Sequence, residues 1–311
     1  MKEFTFIVNP AAGKGSGNHV FRSIQSELEK RNIEFDLVET TGSGHATAAA
    51  RNADTATVVS VGGDGTINEV VNGLSGSTKN LGIIPAGSGN DFIKSIGVPR
   101  KPLLALQTLL NGVKRAVDLG TVRCTESKEG GGNFEPRLFV NGVGVGFDAA
   151  VAARTREIRF LSGTPLYVLA VLQTLGKYIP PEFTILSESF TRTSRGLLIA
   201  VGNGKCAGGG FYLTPDAAVD DGLLDVCSVD NKNIVQILSL MPRVMRGKHH
   251  NVAGVKLFQE KRLSIAAAEP FYVHADGEIV GAGVRRVEIG VHTSHLSVIS
   301  PNNSGSGIVA G

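Results

Sequence analysis

The chain is short of net charge. Thirty-one Lys and Arg set against 28 Asp and Glu leave a formal +3 over 311 residues, too little to mark a nucleic-acid binder. Cysteine is scarce. Cys124, Cys206 and Cys227 are an odd number without metal-type spacing, and they are read as reduced, buried thiols of a cytoplasmic protein. No run of about eighteen uncharged apolar residues occurs, so no transmembrane segment is expected. The nearest stretch, 161–175, is interrupted by Ser162, Gly163, Pro165 and Gln173 and reads as an amphipathic or core helix. The opening MKEFTFIVNP runs from strand to loop, unlike a secretory leader. Internal repeats, heptads and low-complexity blocks are also missing, apart from a tail at 302–311 expected to be flexible.

What remains is globular: 42% of residues are apolar and 19% charged, and 311 residues are long for one core. Glycine is plentiful, at 40 residues, and clustered at 62–65, 87–89, 130–132 and 208–210, where backbone must turn sharply or approach a ligand. Up to about residue 120, strand-like runs at 4–8, 34–39, 57–61 and 81–84 alternate with helical spacing, as in Val20, Ile24, Leu28 and in Ile67, Val70, Val71, Leu74. A short helix is expected at 46–52. This βαβα order predicts an open, mostly parallel sheet with helices on both faces, binding ligands at the carboxyl ends of its strands. Beyond residue 120, strand-like segments at 117–124, 137–145, 183–188, 196–201, 223–229, 263–267 and 284–291 predominate. Helices at 165–177 and 233–246 interrupt this second, β-rich domain, and 126–133 reads as a hairpin tip.

Three loops carry the chemistry. The strongest is Gly62-Gly63-Asp64-Gly65-Thr66-Ile67-Asn68-Glu69, where a β-branched strand meets a helix. Bare backbone and a helix N-terminus suit an anion there. Asp64 can act through Mg²⁺ and Thr66 can bond a phosphate oxygen; the plainer reading is a Gly-rich turn capped by Thr66. The second is Pro85-Ala86-Gly87-Ser88-Gly89-Asn90-Asp91, again after a strand. Ser88 and Asn90 can donate to a ligand, while Asn90 or Asp91 can equally cap a helix before Phe92. The third, Asn9-Pro10-Ala11-Ala12-Gly13-Lys14-Gly15, lacks the spacing of a Walker P-loop but brings a cation to the same sheet edge.

In order and interval these stretches resemble the diacylglycerol kinase catalytic family, which includes bacterial soluble lipid kinases and the sphingosine and ceramide kinases. The likeness continues through Gly208-Gly209-Gly210, Pro215-Asp216-Ala217, the run Asp220-Asp221-Gly222-Leu223-Leu224-Asp225-Val226 and Asp276-Gly277-Glu278, so it covers nearly the whole chain. It implies an α/β nucleotide domain (1–121, with 294–302 returning to it), a β-sandwich acceptor domain (122–293), a flexible tail (303–311) and an active site in the cleft between the domains. It also implies ATP as phosphate donor, Mg²⁺ as cofactor, and a lipid alcohol such as diacylglycerol as acceptor, met at a membrane surface or in micelles. No nucleic-acid partner is expected, a homodimer is left open, and the location is cytoplasmic or peripheral to the inner face of the membrane.

Residue by residue, the resemblance implies nucleotide contacts from Thr40, from Gly63 to Glu69, and from Ser88; the loop reading adds Asn9, Lys14, Gly62, Gly87 and Asn90. His45 stands where several relatives carry an acidic residue, which leaves Thr41 as an alternative to Thr40. Glu278 resembles the family's proton acceptor, with Asp276 beside it. Asp64, Asp91 and Asp118 resemble carboxylates that hold Mg²⁺–ATP through water, and Ala218, Asp221 and Leu223 a structural Mg²⁺ loop. On pattern alone, Asp276-Gly277 would be a hairpin turn; the resemblance shifts the reading to a catalytic one. The basic groups Arg154, Arg156, Arg159 and Arg243, Arg246, Lys248, His249, His250 suit either an anionic bilayer or a solvated helix face. Two other functions fit the loops less well: a nicotinamide-dinucleotide kinase, which shares GGDGT, and a non-catalytic nucleotide or lipid sensor.

Overall fold

The computed structural model describes residues 2–127, 135–155, 157–158 and 163–302. Parts of the expected hairpin tip (126–133) and the tail (302–311), together with Arg156, Arg159, Leu161 and Ser162, lie outside them. The chain divides into two compact units. One takes the residues up to Val117 and those from Leu296 on, the other Asp118–His295.

In the first unit, β1 (Phe4–Val8), β2 (Phe35–Glu39), β3 (Thr57–Gly62) and β4 (Asn80–Pro85) form a parallel sheet in the order β2-β1-β3-β4. The central strands are buried along their whole length, as a sheet covered on both faces demands, so they read as continuous apolar runs. Between β1 and β2 lie α1 (Ala12–Gly15) and α2 (Gly17–Lys30). After β2 comes α3 (His45–Asn52), after β3 α4 (Asp64–Leu74), and after β4 α5 (Phe92–Ile96) and α6 (Pro102–Asn111). Helix α2 buries Phe21, Ile24 and Leu28 at helical spacing, and Phe21 packs on Phe6 and Phe35. The chain leaves β1 for β2 on one side and returns to β3 on the other. Right-handed crossovers therefore put α2 and the α3–α4 pair on opposite faces. The strand order reverses between β1 and β3, the position where open α/β sheets form a crevice.

The second unit holds β6 (Arg137–Phe139), β7 (Gly142–Gly146), α7 (Phe147–Thr155), α8 (Gly163–Leu175), β8 (Glu182–Ser187), β9 (Thr191–Gly202), β10 (Leu224–Asp230), α9 (Ile234–Val244), β11 (Val255–Glu260) and β12 (Arg262–Ala275). Its strands pair antiparallel in the order β11-β10-β9-β7-β12. One core gathers Phe139, Phe183, Ile185, Leu263, Phe271 and Val287 among others; a second gathers α7, α8 and α9 side chains such as Val151, Val171, Ile237 and Leu240. The fold class is the expected one: an α/β unit followed by a β-sandwich-like unit.

Two strands, β5 (Val113–Ser127) and β13 (Glu278–Ser300), begin in one unit and end in the other. The divisions fall inside them, between Val117 and Asp118 and between His295 and Leu296, rather than after 121 and 293, because each strand runs on without a break from one unit into the other. The end of β13 lies parallel to β4, with Ser297 opposite Asn80 and Val298 opposite Leu81. The run expected at 137–145 is two strands, split at Val140-Asn141. Helices α6 and α7 and strand β11 were not expected from the sequence.

Candidate active site

The register of the first sheet decides which loops share an edge. Val8 lies opposite both Val61 and Glu39, and Gly62 opposite Pro85. All four strands thus end together, and 9–15, 40–44, 63–66 and 86–91 form one rim. The rim is stitched by backbone: the amides of Asn9, Thr40 and Ala86 donate to the carbonyls of Val61, Val8 and Gly62 at 3.0, 2.8 and 2.8 Å.

Glycine is required where the loops meet. A Cβ on Gly87 would lie 2.4 Å from the Cα of Gly63, and one on Gly63 would lie 3.1 Å from the Cα of Gly87. Two main chains come this close only when both side chains are missing. Asp64 locks the contact. Its Oδ1 accepts from the amides of Asp91 and Phe92 at 2.7 and 3.2 Å, so a residue of the first Gly loop caps the short helix after the second. Asn9 Nδ2 donates to Thr66 Oγ1 at 3.0 Å across the β1/β3 reversal. Helix α4 starts at this point, with Gly63 extended at its N-cap and no side-chain cap bond; Thr66 is therefore not the cap that the plainer reading made it.

The remaining expected contacts fall into distinct places. Asn90 is buried, left-handed at φ 51°, and uses both amide atoms on Gly87: Oδ1 accepts from its N–H at 3.0 Å, and Nδ2 donates to its carbonyl at 2.6 Å. It shapes the 87–90 turn, and the N-cap of α5 is Asp91, again without a side-chain cap bond. Ser88 is exposed, and Arg100 holds its carbonyl at 2.8 Å. Gly65 is half-buried beside Asp64, whereas Ile67 and Asn68 are buried in α4. The Glu69 carboxylate accepts from the amides of Gly44 and Ala46 at 3.0 and 3.1 Å, so it anchors the start of α3. Thr41 is tied to His45, its amide donating to Nδ1 at 3.1 Å, while Thr40 extends the β1–β2 ladder. Lys14 is exposed and left-handed at φ 62°, following Gly13 at φ 55°, a conformation that costs a non-glycine residue energy.

In the second unit, Asp118 is buried. Its Oδ2 accepts from the Gly222 amide at 2.7 Å, and its Oδ1 lies 2.9 Å from His295 Nδ1. Asp118 and the loop carrying Ala218, Asp221 and Leu223 are therefore one construction. Asp221 is exposed, and its Oδ1 accepts from the Leu223 amide at 3.0 Å. Nearby, burial pushes the Asp225 carboxyl above its ordinary range, with Asp221 and Asp216 adding to the effect against a hydrogen bond from Gln259.

Asp276 and Glu278, neighbours in sequence, have different surroundings. Asp276 and Gly277 make the two-residue turn between β12 and β13, with φ of 48° and 83°, so the hairpin reading holds for that pair. The Asp276 carboxylate is buried and accepts three amides, from Val140 at 3.0 Å and from Asn141 and Gly142 at 2.9 Å. An acceptor so occupied is a poor base, which counts against Asp276 as a proton acceptor. Glu278 opens β13, is half-buried, and pairs with Arg137. Arg137 was missed in the sequence: 141 residues separate the partners and no local pattern marks it. Beneath the turn, buried His274 lies with Nε2 2.9 Å from Asp148 Oδ2, a pair equally invisible in sequence.

Among the described residues no cluster of three or more His, Cys, Asp and Glu side chains is placed to hold a metal. The expected metal set draws on backbone carbonyls and single carboxylates instead. All three cysteines are free and buried, and burial raises the thiols of Cys124 and Cys227 to about 11 and about 12. No helix among the described residues is long and apolar enough to cross a membrane.

Comparison with known proteins agrees with this construction. Residues 3–122 match the family described as the diacylglycerol kinase catalytic domain, and residues 141–300 that described as the YegS C-terminal NAD kinase beta sandwich-like domain. The chain is 32% identical over 301 residues to a Pseudomonas aeruginosa protein named "Probable lipid kinase YegS-like", covering 93% of each chain. It is 29% identical over 288 residues to a diacylglycerol kinase of Bacillus subtilis, covering 90% of this chain and 91% of that one. A crystal structure of a Bacillus anthracis diacylglycerol kinase shares the fold, with a TM-score of 0.72 at 22% identity over 97% of this chain and 98% of that one. From the motif-bearing rim, the sandwich-like second unit and these matches together, the chain belongs to the diacylglycerol kinase family of lipid kinases.

Proposed function

We propose that this protein transfers the γ-phosphate of ATP to the hydroxyl of diacylglycerol or a related lipid alcohol, assisted by Mg²⁺ and by a carboxylate that takes the hydroxyl proton. The observation that carries the reading is the side-chain-free approach of Gly63 and Gly87 at the carboxyl ends of β3 and β4. Phosphoryl transfer asks a protein chiefly to hold the phosphates, balance their charge and aim the acceptor. The backbone of the two Gly loops and the N-terminus of α4 do the first. Lys14 adds a positive charge at the same rim.

The carboxylates fit Mg²⁺ held through water. Asp64 gives an oxygen to two amides and Asp91 one to Lys94 at 2.7 Å, while the two oxygens of Asp118 face the Gly222 amide and His295. The ion readily keeps several of its waters. When bound, Mg²⁺ neutralises charge on the phosphate oxygens. Asp221, with the carbonyls of Ala218 and Leu223, suits a second, structural ion. Glu278 is the proton acceptor in this reading: Arg137 aims its carboxylate, and the Asp276-Gly277 turn fixes its place at the head of β13.

The likeness of the second unit to an NAD kinase sandwich favours one competitor, a kinase acting on a soluble dinucleotide. An assay with labelled ATP and Mg²⁺ separates the two. Incorporation into micellar diacylglycerol or a lipid extract, with none into NAD, supports the proposal. Label in NAD and none in lipid overturns it.

A further inference from the structure

Helix α9 has two apolar faces. One packs inward, with Ile237, Leu240 and Val244 buried in the second unit's core. The other is exposed: Ile234 is 53% accessible, Val235 72%, Leu238 43% and, just past the helix, Met245 39%. At about 100° per residue, 234, 238 and 245 fall within about 40° of one another, with 235 flanking them on one side, buried Ile237 on the other, and Val244 and Leu240 further round. A helix held by one apolar face has no need of a second in water, so the exposed stripe asks for a partner. The helix start is firmly set, since Asn233 and Gln236 form a reciprocal capping box, and the stripe is thus presented in a fixed orientation.

Charge names the partner. Between Asp230 and Glu260 the sequence contains no acidic residue, while it carries Lys232, Arg243, Arg246, Lys248 and Lys256. Arg243, Arg246 and Lys248 are exposed at the end of the stripe. Apolar side chains flanked by these cations, with the neighbouring Asp216 carboxylate taken up by His250, are the make-up of a helix that lies in the headgroup region of an anionic bilayer.

We propose that α9 and the cationic turn after it dock this protein on anionic membrane, with Ile234, Val235, Leu238 and Met245 entering the acyl boundary and Arg243, Arg246 and Lys248 meeting lipid phosphates. This rests on the lipid-kinase reading only for its purpose, to bring the chain to a membrane-borne acceptor; the docking itself requires no turnover.

The test uses the whole chain and two surface variants, Val235→Ser/Leu238→Ser and Arg243→Gln/Arg246→Gln/Lys248→Gln. Co-sedimentation is measured without ATP on phosphatidylcholine vesicles with and without phosphatidylglycerol. The wild type should sediment with the mixed vesicles and be released by salt. The charge variant should bind about a hundredfold more weakly, three cations each being lost from an anionic surface, and the apolar variant should also lose binding. Both variants should phosphorylate a short-chain, water-soluble diacylglycerol at the wild-type rate. Sedimentation of the apolar variant equal to wild type overturns the proposal, as does a stripe that instead holds two copies together, seen as a dimer that the apolar substitutions dissociate without altering vesicle binding. If the wild type phosphorylates no diacylglycerol but the variants lose vesicle binding, the kinase reading fails and the docking stands.

Discussion

Asp64 and Asp91, from consecutive Gly loops, are joined by a 2.7 Å hydrogen bond from the amide of the second to the carboxylate of the first. The same oxygen takes the Phe92 amide. Asp64→Ala would leave two amides at the start of a five-residue helix without an acceptor, a loss of about 1–3 kcal/mol. Thermal melting should show the lower stability, and kinase assay a fall of about a hundredfold or more as the loops lose register. Asp64→Asn retains an acceptor, so it should melt closer to wild type while still losing turnover. Equal turnover in Asn and wild type would remove the charge from the mechanism.

Gly87→Ala tests the close approach directly. The new methyl would stand 2.4 Å from the Cα of Gly63 and 2.8 Å from Asn90 Oδ1, and backbone cannot yield as a flexible side chain does. We expect about 1–3 kcal/mol of overpacking strain and nucleotide affinity reduced at least tenfold by titration calorimetry. Gly15→Ala, on the same rim but with open space around its Cβ position, should have a smaller effect, limited to the strain of its φ of 93°.

Glu278 and Asp276 should separate cleanly. Glu278→Gln is expected to abolish turnover while leaving ATP binding and melting temperature near wild type. Asp276→Ala strands the amides of Val140, Asn141 and Gly142 and should destabilise the second unit by several kcal/mol, each stranded donor costing about 1–3. Turnover surviving in Glu278→Gln would show that the proton goes elsewhere.

His249 gives the chain an acid-sensitive point. It is fully buried beside Cys227, and Nε2 lies 3.1 Å from the carbonyl of Leu213. Burial holds the imidazole below its ordinary 6.5, outweighing the Leu213 bond, with His250 pushing the same way. The unfolded chain therefore takes up a proton first as pH falls. The stability from neutral His249 is complete above 6.5 and is lost as pH drops through the lowered folded value. Melting temperature should fall on acidification below neutrality, and His249→Gln, which can still donate to Leu213, should flatten that slope.

The rim was legible in the sequence because its signals are local. A buried β-branched strand such as Thr57–Gly62 stops at glycine, and the stop marks both the strand end and the loop. What lay beyond reach depends on distant partners. Glu69 looks like part of the Gly motif, yet its carboxylate serves the start of α3. Asn90 looks like a ligand donor, yet Gly87 takes both its amide atoms. Arg137 has no pattern to betray it as the partner of Glu278. Helix α7 was hidden because Phe147–Thr155 follows β7 directly with little periodicity, and β13 was read as short because Gly281 and Gly283 thin its apolar alternation. The DGE run shows both sides: local turn chemistry correctly described Asp276-Gly277, and only the resemblance drew attention to Glu278.

The parallel pairing of Ser297 and Val298 with β4 has a bearing on biosynthesis. The sheet to which β1–β4 belong is extended past β4 only by residues made much later, Ser297 lying 217 positions after its partner Asn80. Until then the outer edge of β4 offers open amides and carbonyls, and such edges recruit foreign strands. A nascent chain paused short of Leu296 would hold its Gly-loop rim on an unfinished sheet, a natural client for a chaperone.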